Sequence, residues 1–232
     1  MSHYNVSFKY GIFLVVFLLL SGCAAMGLVK FDKAANTHIK KIALLRVDEP
    51  KIIIRGVTKW HSLITTGGTV WGIPTTPYLE RTAKDWNCEL LGTTMARALR
   101  QELTKIGYDF IYLEYQSIMK SGVRDIQTDA DAILFVHLCA GYACQSKKKG
   151  FKPSVFAAVR LYDSRSKKVI YSRNIDVGEG SRASRPNVTF IPPDEKYTYN
   201  SFDAVKKNFD EAVQGITDCQ NKIAARMAEH LR

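Results

Sequence analysis

The stretch Asp131-Ala132-Ile133-Leu134-Phe135-Val136-His137-Leu138 decides how the rest of the chain is read. Its apolar residues continue without alternation, as in a central strand covered on both faces. Two more strands follow at 154–162 and 169–177, with Asp163-Ser164-Arg165-Ser166-Lys167 as the hairpin loop between them. Upstream, 108–113 reads as a strand, and Lys41-Ile42-Ala43-Leu44-Leu45-Arg46-Val47 reads as a buried one. Pro50 interrupts it, and Ile52-Ile53-Ile54 with Val57 forms a second short strand.

Two long helical patterns flank these strands. Thr76-Pro77 offers a helix start, with threonine as N-cap and proline in the first position. Leu79, Ala83, Trp86, Leu90, Met95, Leu99, Leu103 and Ile106 then recur near the helical period, and Gly107 closes the pattern. Gly92 weakens its middle and Asp85 offers a second start, so two helices are an alternative. The last helix is capped by Asn200 or Ser201 and carries the stripe Phe202, Val205, Phe209, Val213, Ile216, Cys219, Ile223, Met227 and Leu231. The segment 116–129 reads as a short helix and loop.

Two loops stand out. The glycines and Pro74 of 65–77 make a loop of unusual apolarity, through Val70, Trp71 and Ile73. Such residues read as a flap folded onto the body; the functional alternative is a partner-binding or membrane-dipping loop, with Trp60, Val70, Trp71 and Ile73 as the candidate contacts. Residues 178–200, with Pro186, Pro192 and Pro193, read as a long irregular excursion whose Arg182 and Arg185 could hold an acidic partner. The expected fold is α/β in the mixed α+β sense: a single mixed sheet of about five or six strands flanked by two long helices, in one domain over 39–232.

The chain opens differently. Lys9 is followed by the apolar run Ile12-Phe13-Leu14-Val15-Val16-Phe17-Leu18-Leu19-Leu20 and then by Ser21-Gly22-Cys23. That run suits the core of a secretory leader and is shorter than the roughly 20 residues a membrane-crossing helix needs. Leu20-Ser21-Gly22-Cys23 resembles the lipobox of bacterial lipoproteins. The resemblance implies removal of 1–22 as a signal peptide. It also implies a lipidated N-terminus with a tether over 23–38, and diacylglycerol and an N-acyl lipid, such as palmitate, on Cys23. Ala24 follows in place of the aspartate that marks inner-membrane retention. The implied location is the outer membrane, lipid-anchored and facing the periplasm.

Size and charge are compatible with that address. Cleavage would leave about 210 residues, enough for one well-buried domain. Hydrophobic residues make up 46% and charged ones 24%, which excludes a disordered chain. The net charge of +11 is scattered, with Lys147-Lys148-Lys149 the main run, so it reads as solvated surface and no nucleic-acid partner is expected. Cys88, Cys139, Cys144 and Cys219 remain beyond the lipobox. An even number in an oxidising compartment suggests disulfides, with three connectivities open. Cys88–Cys219 with Cys139–Cys144 is the favoured pairing, the latter requiring a turn that Gly141 permits. In one continuous strand Cys139 and Cys144 would lie about 17 Å apart on opposite faces.

Catalytic signatures are sparse. His137, Cys139 and Cys144 lie near one another in sequence, but zinc wants three or four ligands and no other histidine has suitable spacing. His137 with Cys139 or Cys144 imitates a thiol–imidazole pair, and Asp129/Asp131 and Asp194/Glu195 imitate carboxylate pairs; each reads better as core or loop polarity. No catalytic residue, metal or dissociable cofactor is assigned.

A second resemblance covers about 39–231. It rests on the strand 42–47, the helix ending in Gly107-Tyr108, the run Asp129-Ala130-Asp131-Ala132-Ile133-Leu134, and Tyr162-Asp163-Ser164-Arg165-Ser166-Lys167-Lys168-Val169. These are similar to a group that includes the curli-secretion channel lipoprotein and the lipoprotein activators of penicillin-binding proteins. In that group the hairpin reads Asp-x-x-Thr-Gly-Lys-Val, and here Ser166 stands in place of its glycine. The resemblance implies a non-enzymatic accessory or assembly factor of a secretion, transport or cell-wall complex, with an envelope protein as partner. An envelope-polymer-processing enzyme and a subunit of an oligomeric secretion pore are the alternatives, and a homo-oligomer is left open.

Overall fold

The computed structural model describes residues 28–45, 47, 50, 52–57, 64–65, 68–69, 75–81, 89–113, 123–144, 150–178 and 188–232. Its strands are β1 (Lys41–Leu45), β2 (Ile52–Val57), β3 (Ile64–Thr65), β4 (Gly68–Thr69), β5 (Thr75–Arg81), β6 (Asp109–Leu113), β7 (Ala132–Ala143), β8 (Lys152–Asp163), β9 (Val169–Val177) and β10 (Val188–Ile191). The helices are α1 (Leu91–Lys105), α2 (Phe202–Lys207) and α3 (Phe209–Leu231).

One mixed sheet runs in the order β10-β9-β8-β7-β1-β6. β1 lies parallel to both β6 and β7, whereas β7, β8 and β9 form an antiparallel meander closed by a parallel β10. β7 is long enough for two neighbours on one side. Ala132–Leu134 pair with β1, and Ala140–Ala143 pair with β2, which itself holds β5 antiparallel.

The central strand behaves as its composition dictates. Ala132, Leu134, Val136, Leu138, Ala140 and Tyr142 point into the main core. There they meet Val155, Val159 and Leu161 of β8, under the stripe of α3. Ile216, Cys219, Ile223 and Met227 of that stripe are all fully buried. α1 lies beside α3 and over β6, and a buried polar lock joins the two helices. Gln220 Nε2 donates to Leu91 O at 2.9 Å, and Thr94 Oγ1 donates to Gln220 Oε1 at 2.5 Å.

Four elements depart from expectation. Thr75–Arg81 is a strand, not the start of a helix: the open edge of β2 offers it a ladder, which outweighs the local Thr76-Pro77 signal. α1 therefore begins at Leu91, with no side-chain cap. Within the loop 65–77, Gly68–Thr69 pairs with Ile64–Thr65 as a two-residue ladder. The last helix is broken at Asn208, whose Nδ2 donates to Ala204 O at 2.8 Å. Ser201 caps the first piece, its Oγ accepting from Ala204 N. Finally, β10 lies inside the expected excursion, where Val188-Thr189-Phe190-Ile191 finds the free edge of β9.

The amino-terminal end of β1 and β7 is fastened by carboxylates. Asp131 Oδ2 accepts from the N–H groups of Lys40 and Lys41, both at 2.9 Å. Asp163 Oδ1 accepts from Arg165 N and Ser166 N, closing the hairpin, and its Oδ2 meets His38 Nε2 at 2.9 Å. From Leu28 on, the chain expected as a tether is docked: Val29 bridges to Ser172, and Phe31 packs on the core. The hairpin's left-handed residue is Lys167, at φ 56°, and counting from Asp163 it is Lys167, not Ser166, that takes the glycine position of the related pattern.

Burial disfavours the charged form of Asp163, but the Ser166 N–H and His38 outweigh it and hold the carboxyl down to about 2. A depressed carboxyl contributes stability above its unfolded value and loses it as pH falls through the folded one. Asp163→Asn is therefore expected to flatten the loss of stability between pH 4 and 2. The component removed should be about 1–2 kcal/mol, read by urea unfolding at stepped pH.

Candidate functional site

Helices seal one face of the sheet, and the carboxyl ends of its parallel strands leave a cleft. In parallel α/β arrangements ligands enter outside those strand ends, beside a helix N-terminus. β1 ends in Leu44 and Leu45, β6 ends in Tyr112 and Leu113, and the first turns of α1 lie over both. Gly92 and Thr93 present little side chain to the strand ends, and a cavity of about 520 Å³ lies between the helix and the strands. Its walls include Leu44, Val47, Leu90, Ala96 and Leu113, and Arg97 and Arg100 stand at its mouth. Tyr112 is fixed there by its hydroxyl, which donates to Ala96 O at 3.2 Å, although the ring is 48% exposed. Arg97 pairs with Glu89. Among the described residues, Arg100 meets no carboxylate.

The opposite sheet face carries the odd-numbered residues of β7. His137 and Cys139 are exposed on it, with Cys139 Sγ 3.7 Å from His137 Nε2. In register beside them lie Ala158 and Phe156 of β8, then Asn174 and Asp176 of β9, then Val188 and Phe190 of β10. Phe190 is 36% exposed. No group of three metal-binding side chains occurs among the described residues.

The favoured disulfides are not formed. Cys139 and Cys219 both carry free thiols. The turn required between Cys139 and Cys144 does not exist, because Gly141 is an ordinary strand residue paired with Ser154 and Ile53. Cys219 lies fully buried against the sheet, and burial, with Asp218 nearby, pushes its thiol up to about 12. Alkylation of the native protein by iodoacetamide is therefore expected to mark the Cys139 peptide and spare Cys219 until the protein is denatured. Peptide mass mapping reads the difference.

The carboxylate pairs resolve into structural roles. Asp129 pairs with Lys41 Nζ at 2.5 Å, and Asp131 holds backbone N–H groups. Asp194 Oδ1 accepts from Lys196 N, and Glu195 pairs with Lys152 at 2.7 Å. Cys23, Cys88, Trp60, Val70, Trp71, Ile73, Arg182 and Arg185 lie outside the described residues. Sequence reasoning did not find the cleft. Its signal was the strand–helix–strand order around α1, with Gly92-Thr93 in the helix's first turn.

No protein-family profile and no curated protein sequence matches the chain. Among solved structures it is similar to protein XCC0632 of Xanthomonas campestris, of family DUF330, with 12% identity over 83% of this chain and 85% of that one and a TM-score of 0.40. It is also similar to a putative neuraminyllactose-binding hemagglutinin homolog of Helicobacter pylori, with 13% identity over 83% of each chain and a TM-score of 0.39. For lipoprotein GNA1162 of Neisseria meningitidis the values are 15% identity, 77% of this chain, 99% of that one and 0.34. Similarity of this degree carries no argument about what the chain does.

Proposed function

We propose that this chain is a lipoprotein anchored by acyl chains on Cys23 to the outer membrane, facing the periplasm, where it acts by binding as an accessory of an envelope complex. The observation that carries the reading is Leu20-Ser21-Gly22-Cys23 behind a nine-residue apolar run. One acyl chain holds a protein only marginally, and two or three make attachment durable. The docked segment from Leu28 onward leads into β1, whose amino-terminal end is fastened by Asp131 and Asp163. Among the described residues, no helix is long and apolar enough to cross a membrane.

In this reading the body presents two surfaces to neighbours: the exposed sheet row with His137, Cys139 and Phe190, and the cleft beside α1. Affinity purification of the lipidated protein from its own membrane, after mild crosslinking, tests the binding role. A stoichiometric envelope protein recovered with wild type, and lost when His137 and Phe190 are replaced by glutamate, supports it. Recovery of no partner, together with hydrolysis of envelope polymer by the purified protein, overturns it.

A further inference from the structure

We infer that the cleft between α1 and the ends of β1 and β6 binds an anionic amphiphile with a single acyl chain. Its volume of about 520 Å³ falls within the range of small-molecule sites. Its floor is aliphatic, from Leu44, Val47, Leu90, Ala96 and Leu113, which suits a hydrocarbon chain and offers a polar ligand little. The mouth has the opposite character. Arg97 and Arg100 stand one turn apart on α1, and a shallow groove lined by Gln101, Thr104 and Lys105 continues along the helix, with Lys105 paired to Glu102 at 2.6 Å. Arg97 shares its charge with Glu89, which leaves Arg100 as the principal anchor for an anionic head.

A neutral lipid would leave that guanidinium unused, and an anion without a chain would leave the floor empty. A carboxylate or phosphate at the end of one chain satisfies both, and a guanidinium recognises either head through paired N–H donors. A free fatty acid and a lysophospholipid share this chemistry. The inference rests on the envelope reading only for the supply of ligand, since a membrane-anchored body meets such molecules at its own surface.

The test uses the full lipidated protein in phosphatidylcholine nanodiscs, probed with dodecanoate bearing a diazirine on its chain. Co-elution with the nanodisc reports the anchor and photolabelling reports the cleft, so the two readings fail separately; labelling is read whether or not the protein co-elutes. The expected result is label on peptides from 44–47 and 90–113. Unlabelled dodecanoate should compete and dodecanol should not. Competition by lysophosphatidylglycerol as well points to a lipid headgroup as the source, and its failure points to a free fatty acid. Arg100→Gln, on the exposed side of α1, should weaken labelling about tenfold through loss of one charge-assisted contact. Ala96→Trp should fill the cleft and abolish it. Equal competition by dodecanol, unchanged labelling of Arg100→Gln, or label mapped elsewhere overturns the assignment.

Discussion

Gly215→Val is expected to unfold most of the protein at 37 °C, and Gly215→Ala to lower its melting temperature by several degrees. Gly215 faces the tyrosines at the carboxyl end of β7. A Cβ there would stand 2.6 Å from Tyr142 Oη, 2.8 Å from Tyr197 Cγ and 2.9 Å from Tyr197 Cβ. Real side chains do not tolerate such approaches, and the obstacle is not a flexible tip alone. Tyr197 is held by the Glu195–Tyr197 turn, and Tyr142 is fully buried with its hydroxyl donating to Ala212 O at 3.1 Å. Alanine recovers about 1 kcal/mol of helix propensity over glycine. Overpacking costs about 1–3 kcal/mol and more for a branched residue, so the net sign is destabilising. For a chain of this size each kcal/mol moves the midpoint by about 2–4 °C. Differential scanning calorimetry of both variants reads the effect. Unchanged midpoints would mean that α3 does not cross the sheet at this register.

The second large effect concerns the anchor. Cys23→Ser should remove all incorporation of labelled palmitate. It should also leave the chain as an uncleaved precursor, because the thiol that takes the diacylglyceryl group is gone. Replacing 1–22 with an ordinary cleavable leader, in the same Cys23→Ser background, should release the whole pool into the soluble periplasmic fraction. Each buried methylene of a lipid contributes about 0.8 kcal/mol, so losing two or three chains removes attachment rather than weakening it. Fractionation and labelled-palmitate gels read both outcomes. Persistent palmitate on Cys23→Ser would move the lipid to another residue.

What could be read in the sequence followed the range of the forces involved. The continuous run 132–138 and the stripe from Val205 to Leu231 were legible because a buried strand and an amphipathic helix write their burial directly into residue order. The strand Thr75–Arg81 was hidden by a local helix-start signal that a distant partner, Ile52–Val57, overrides. Val188–Ile191 was hidden by the prolines around it, since its ladder is supplied by β9 and nothing nearby announces it. Gly141 misled for the opposite reason. Its freedom to turn was real, but β8 and β2 hold it extended on both sides, and so Cys139 and Cys144 stay apart. The cleft joins Leu44, Arg100 and Tyr112, which no local pattern connects; only the adjacency of β1, α1 and β6 brings them together.

The measurement that bears most directly on the account is the mass of the amino-terminal peptide of the protein purified from its native membrane. The account predicts a chain that begins at Cys23, carrying a diacylglyceryl thioether and an N-acyl group. An unacylated peptide beginning at Met1, from protein recovered in the soluble fraction, would contradict it.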